Sequence, residues 1–139
     1  MRVSFTVMGE PCGKGRPRFS KPGHTYTPDK TSRYENLVKL EYESQCGCRF
    51  DDSDQLDMRI YAYYGIPKSD SKKKAAQKLS GIIRPAKKPD MDNVMKIIAD
   101  SLNGIAYRDD TQIVDSMVRK FYSDVPRVQV IIQTTGGQS

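Results

Sequence analysis

Five aspartates and one lysine share the segment Asp90–Asp110, DMDNVMKIIADSLNGIAYRDD, and a lysine-rich stretch comes just before it. Oxygen ligands at this density suit hard divalent cations. A cation beside a basic surface can bind and polarise a phosphodiester that carboxylates alone would repel. A helix from Asp92 to Leu102, at 100° per residue, sets Val94, Ile97, Ile98 and Leu102 on one side. Asp92, Lys96, Asp100 and Asn103 fall on the other. Asp90 stands just outside that helix, where non-helical backbone can turn it toward Asp92. Asp109 or Asp110, arriving from the following loop, can complete a metal site.

Each piece also has an ordinary structural use. Asp92 can cap a helix for about 1 kcal/mol, and Asp109 with Asp110 can form a turn. Lys96 and Asp100 can form an i,i+4 ion pair that contributes a few tenths of a kcal/mol. The remaining composition narrows the chemistry. A single histidine, His24, is too few for histidine-based nuclease or zinc hydrolase designs, which leaves oxygen ligands and favours magnesium, with manganese as a substitute. Cys12, Cys46 and Cys48 are odd in number and match neither a zinc knuckle nor a disulfide framework, so a reducing cytoplasm is expected. No apolar run approaches the roughly 20 residues of a membrane span, and the chain opens in a strand pattern rather than a signal peptide.

The formal net charge of +6 is concentrated in one place. Between Pro67 and Pro89, Lys68, Lys72, Lys73, Lys74, Lys78, Arg84, Lys87 and Lys88 face only Asp70. A solvated lysine face is the bland alternative, but its position against an acidic cluster favours phosphate binding. A second basic segment, GKGRPRFSKPGHTYTP, is rich in Gly and Pro and reads as a loop presenting Lys14, Arg16, Arg18 and Lys21.

The elements that must position these groups follow from periodicity. Val3, Phe5 and Val7 alternate as a strand, and a helix is expected from about Lys30 to Cys46 with Thr27 or Asp29 at its start. Leu56–Tyr64 alternates as a second strand ended by Gly65 and Pro67. Ser69 or Ser71 can cap a short helix reaching Leu79, and the two prolines of 81–89 keep that stretch extended or looped. The acidic helix ends at Asn103 and Gly104, and strands over 112–122 and 128–133 follow, joined by the turn SDVPR. The tail 134–139 reads as frayed.

Taken together, KPDMDNVMK followed by ADSLNGIAYRDDTQI closely resembles the signature of the RusA family of Holliday-junction resolvases. GRPRF with YTP is similar to the N-terminal part of bacteriophage-type members, and IPKSDSKKK to their lysine-rich segment, although Asp70 stands where an aromatic residue is expected. The resemblance implies a small homodimeric endonuclease that uses magnesium or manganese to nick four-way DNA junctions symmetrically in recombination and repair. It implies metal-binding catalytic roles for Asp90, Asp92 and Asp110, with Asp110 favoured over Asp109, and an essential role for Lys96. Lys14, Arg16, Arg18, Lys72, Lys73, Lys74, Lys87 and Lys88 are then the expected DNA contacts.

The expected fold is one α/β (α+β) domain over 1–139, with about four strands in a mixed sheet and two main helices on one face. Localisation in the cytoplasm of a bacterial host cell is expected, with branched DNA and a second copy as partners and no membrane. Among the aromatics, Phe19, Tyr26 and Tyr107 are candidates for an exposed junction wedge, with packing as the commoner use. Two rival readings use the same residues: a non-catalytic structure-selective nucleic-acid-binding protein, and a phosphatase or nucleotide hydrolase, for which no phosphate-cradling P-loop is present.

Overall fold

The computed structural model describes residues 1–14, 18–21, 24–26 and 29–135, with only the backbone described for 18–21 and 24–26. The expected four-stranded sheet forms from β1 (Arg2–Met8), β4 (Leu56–Gly65), β5 (Ile113–Ser123) and β6 (Arg127–Thr134). Its order is β1-β6-β4-β5. The β1/β6 and β6/β4 pairs are antiparallel and β4/β5 is parallel, so the sheet is mixed. A parallel neighbour requires a long crossover. Here that crossover contains two helices, α2 (Lys72–Leu79) and α3 (Met91–Ser101).

Alternation along β4 buries Leu56, Met58, Ile60, Ala62 and Tyr64 on one face. That face is covered by α1 (Asp29–Gln45), through Tyr34, Val38 and Tyr42, and by α3, through Val94, Ile97 and Ile98. Phe5 of β1 meets Tyr42 edge to face at 5.4 Å, a favourable aromatic geometry that joins α1 to the sheet. Gln45 then closes the outer edge of β1, accepting from the Thr6 N–H at 2.9 Å and donating to the Thr6 carbonyl at 2.8 Å. Such a cover removes backbone groups that would otherwise recruit another strand.

Two boundaries differ from the sequence expectation. Within the segment read as a loop, β2 (Arg18–Lys21) and β3 (His24–Tyr26) pair as a small antiparallel hairpin. The Gly and Pro content obscured it, although Pro-Gly between short β-prone runs is itself a turn signal. Thr134, assigned to the tail, belongs to β6, and its N–H bonds to the Met1 carbonyl at 3.1 Å. Residues 136–139 lie outside the described residues.

Candidate active site

α3 presents the charged face that its periodicity predicts. Val94, Ile97 and Ile98 are fully packed, while Asp90, Asp92 and Lys96 are exposed. Asp90 is the N-cap residue by backbone position, yet its side chain makes no capping hydrogen bond. Lys96 forms no ion pair with Asp92 or Asp100 among the described residues, so the simple i,i+4 bridge is not made. These charges are therefore not consumed by the helix that carries them.

The loop after α3 is built to return. Gly104 adopts φ 74°, a left-handed conformation that costs glycine little and reverses the chain. Tyr107 then drives inward, fully buried, and its hydroxyl donates to the Ala99 carbonyl at 2.7 Å. Burial pushes its phenol pKa up, with the nearby Asp110, Asp100 and Asp109 adding to the effect. Tyr107 is thus an anchor rather than the exposed wedge considered from sequence; a Tyr in a polar Gly-containing loop gave no sign that its ring reaches under the helix. The wedge candidates Phe19 and Tyr26 have side chains outside the described residues.

The anchored loop separates the roles of the paired aspartates. Asp109 accepts from the Thr111 N–H at 3.0 Å and Gln112 reaches back to the Asp109 N–H at 3.2 Å, a reciprocal cap. The Thr111 side chain first, and then its backbone N–H, hold the Asp109 carboxyl below the usual aspartate range. Asp110 is placed differently: its N–H bonds to Asn103 Oδ1 at 2.7 Å, and its carboxyl faces Asp100. Partial burial, followed by the contact with Asp100, raises its pKa despite the opposing Asn103 amide.

Asp90, Asp92 and Asp110 do not converge on one ion within the chain. Eight residues separate Asp92 from Asp100, about 12 Å along a helix rising 1.5 Å per residue. Asp110 sits beside Asp100 and Asn103, toward the end of the helix opposite the N-terminal pair. Among the described residues, no group of three or more acidic, histidine or cysteine side chains can enclose a metal ion. A three-carboxylate cage therefore does not fit. The neighbouring Asp100 and Asp110 do fit a magnesium-type site, which takes one or two carboxylates and is completed by water and substrate phosphate.

Asp90 borders two depressions. One is lined by Arg84, Pro85, Ala86, Met91 and Lys120. The other, about 480 Å³, brings Lys14, Lys30, Lys88 and Asn93 to its rim. Lys120 was missed from sequence. It occupies an inward-phase strand position, in register with buried Ala62, and a lysine at that phase is itself a signal. Its ammonium donates to the Lys87 carbonyl at 2.6 Å and lies 5.1 Å from the Tyr64 ring centre. Burial lowers its pKa, and Asp90 acts in the opposite sense. The Tyr64 hydroxyl donates to the Pro89 carbonyl at 2.5 Å, so both β4 and β5 hold the segment delivering Asp90.

The basic groups divide into committed and available charges. Lys14, expected to contact DNA, lies 2.6 Å from Glu35 and 3.7 Å from Asp100, where it acts as a partly buried counter-ion. Its backbone fixes this position: Lys14 N–H bonds to the Asn93 carbonyl at 3.0 Å, and a Cβ on Gly13 would stand 2.9 Å from the Pro89 Cβ. Lys72, Lys73 and Lys74 are exposed on α2, and Lys87 and Lys88 are exposed before α3. Lys78 is different, buried with its Nζ 2.5 Å from Asp70 Oδ2, off the angle of a directional hydrogen bond, and 4.6 Å from the Tyr122 ring centre. Arg16 lies outside the described residues, and only the backbone of Arg18 is described, in β2.

An acidic helix on a mixed sheet, bordered by lysine-rimmed depressions, defines a protein suited to phosphodiester substrates. The chain belongs to the RusA endodeoxyribonuclease family, whose model matches residues 8–133. It is also 41% identical over 136 residues to the uncharacterized protein YqaN of Bacillus subtilis (strain 168), covering 94% of this chain and 95% of that relative. No helix among the described residues is long and apolar enough to cross a membrane.

Proposed function

We propose that this protein is a structure-selective DNA endonuclease that resolves four-way junctions by paired symmetric nicks, acting in DNA recombination and repair as a cytoplasmic homodimer. The observation that carries this reading is the charged face of α3, where Asp90 makes no cap bond and Lys96 has no ion pair among the described residues. Within a RusA-family chain, those uncommitted groups favour substrate work over helix stability.

Magnesium, with manganese as a substitute, is the proposed cofactor. Asp110, with Asp100 beside it, is the donor pair that can hold it, and Asp90 and Asp92 form a second acidic station toward the helix N-terminus. When bound, a hard cation supplies charge for a phosphate oxygen and an activated water. Lys96, between the two stations, supplies a point charge for the phosphate of the strand being cut. Lys87 and Lys88 hold the backbone next to Asp90, and Lys72, Lys73 and Lys74 extend the interaction along α2, where phosphate neutralisation gives affinity without sequence information.

A symmetric dimer gives two cutting sites related by a two-fold axis, which matches paired nicks across a junction. The edge of β5 and the adjoining side of α3 support such an interface, because Met91 and Val114 are exposed there beside Met95 and Val118. The test is cleavage of a synthetic four-way junction with and without magnesium, beside duplex and single-stranded controls. Binding without cleavage under either divalent ion would favour a non-catalytic DNA-binding protein.

A further inference from the structure

The sheet face opposite the helices carries a second set of groups suited to nucleic acid. Arg127, Tyr63 and Phe121 stand in direct register on β6, β4 and β5. The Tyr63 and Phe121 rings stack with centres 5.8 Å apart and planes 25° from parallel. The Arg127 guanidinium lies 4.0 Å from the Tyr63 ring centre, and that of Arg84 lies 4.3 Å from Phe121. Four planar groups thus form a row across three strands. Tyr61, two positions before Tyr63, shares this face and aligns with exposed Arg119.

The arginines of this row are oriented without being neutralised. Arg84 donates to the Lys120 carbonyl at 2.9 Å, and Arg127 donates to the Val125 carbonyl at 2.8 Å and Ser123 Oγ at 3.1 Å. Neither they nor Arg119 meet a carboxylate within ion-pair distance among the described residues. Uncompensated guanidinium groups interleaved with aromatic rings on a sheet suit a single strand, whose bases stack on rings while its phosphates follow the cations.

We propose that this face binds an unpaired DNA strand, with bases against Tyr61 and the outward edges of the Tyr63–Phe121 row, whose ring faces are filled by each other and by Arg127 and Arg84, and with phosphates along Arg84, Arg119 and Arg127. A second copy of the chain is the less suitable occupant: the acids of this face, Asp57 and Asp115, lie at the other end of β4 and β5, so a two-fold interface centred on the arginine end would press like charges together. The inference rests on the endonuclease reading for its setting, since branched DNA supplies unpaired strands, but strand binding requires no cleavage.

Fluorescence anisotropy of labelled oligothymidylate with the full chain tests it. Tyr63→Ala with Phe121→Ala should weaken binding by about tenfold or more, whereas Tyr63→Phe, which keeps the ring, should stay within about twofold. Arg84→Gln with Arg127→Gln leaves both rings in place and should also weaken binding and flatten its salt dependence, which guards against misfolding of the alanine variant. Unchanged affinity in the arginine variant, or dissociation of a dimer by either double variant in sedimentation, would overturn the proposal. Junction nicking by the wild type is scored separately: its loss contradicts the endonuclease reading and leaves the strand-binding result intact.

Discussion

The carboxyl of Asp110 faces that of Asp100 across the turn that ends α3, and Asn103 fixes its backbone at 2.7 Å. Two acids so placed favour an added cation. Asp100→Asn and Asp110→Asn are each expected to lower junction nicking about 100-fold or more while leaving junction binding intact or tighter, since each removes a donor and a repulsive charge. Asp109→Ala should instead lower the melting temperature and keep nicking within a fewfold of wild type, because Asp109 caps a turn. Gel assays of nicking and binding, paired with thermal melts, separate the two outcomes.

The same pair of acids makes a prediction about stability. Partial burial and Asp100 raise the pKa of Asp110, so the folded chain holds that proton more tightly than the unfolded chain. Wild-type stability should therefore fall as pH rises from about 4, the ordinary aspartate value, through the raised one. Without divalent ions at neutral pH, Asp110→Asn should melt higher than the wild type, because it removes the carboxylate that partial burial and Asp100 disfavour. The gap should close as the pH is lowered, and calorimetry across that range checks it.

The lysines of α2 should divide by exposure. Replacing Lys72, Lys73 and Lys74 by Gln is expected to reduce the slope of log affinity against log salt by about 2–3, near 0.9 for each phosphate no longer neutralised. Lys78→Met should leave the slope unchanged but cost about 3–5 kcal/mol of stability, because the Asp70 carboxylate is left buried without its partner. Salt titrations and urea melts read the two effects independently.

Lys120 is expected to act by positioning. Its bond to the Lys87 carbonyl holds the segment leading into Asp90. Lys120→Met should lower kcat about tenfold with little change in junction affinity, and Lys120→Arg should recover part of the activity by restoring a donor. Single-turnover kinetics with the two variants checks the split.

The sheet, both covering helices and the charged face of α3 were legible because alternation along β4 and the 100° period of α3 report directly which side of each element is buried. Axial distance was not. The expected set Asp90, Asp92 and Asp110 came from the family resemblance, which carries no distances, and a helical projection likewise discards the rise between Asp92 and Asp100; no three-carboxylate group is found within the chain among the described residues. Lys14 and Lys78 looked like their basic neighbours in sequence. Their partners, Glu35 and Asp100 for one and Asp70 for the other, are set by tertiary packing that local pattern does not encode.

The most direct measurement is strand-resolved nicking of a synthetic four-way junction by the wild type and by Asp110→Asn, in magnesium and in chelator. Paired, symmetric nicks by the wild type in magnesium, none in chelator, and binding without nicking by Asp110→Asn are the predicted results. Nicking that persists in chelator, or an Asp110→Asn variant as active as the wild type, would contradict the account.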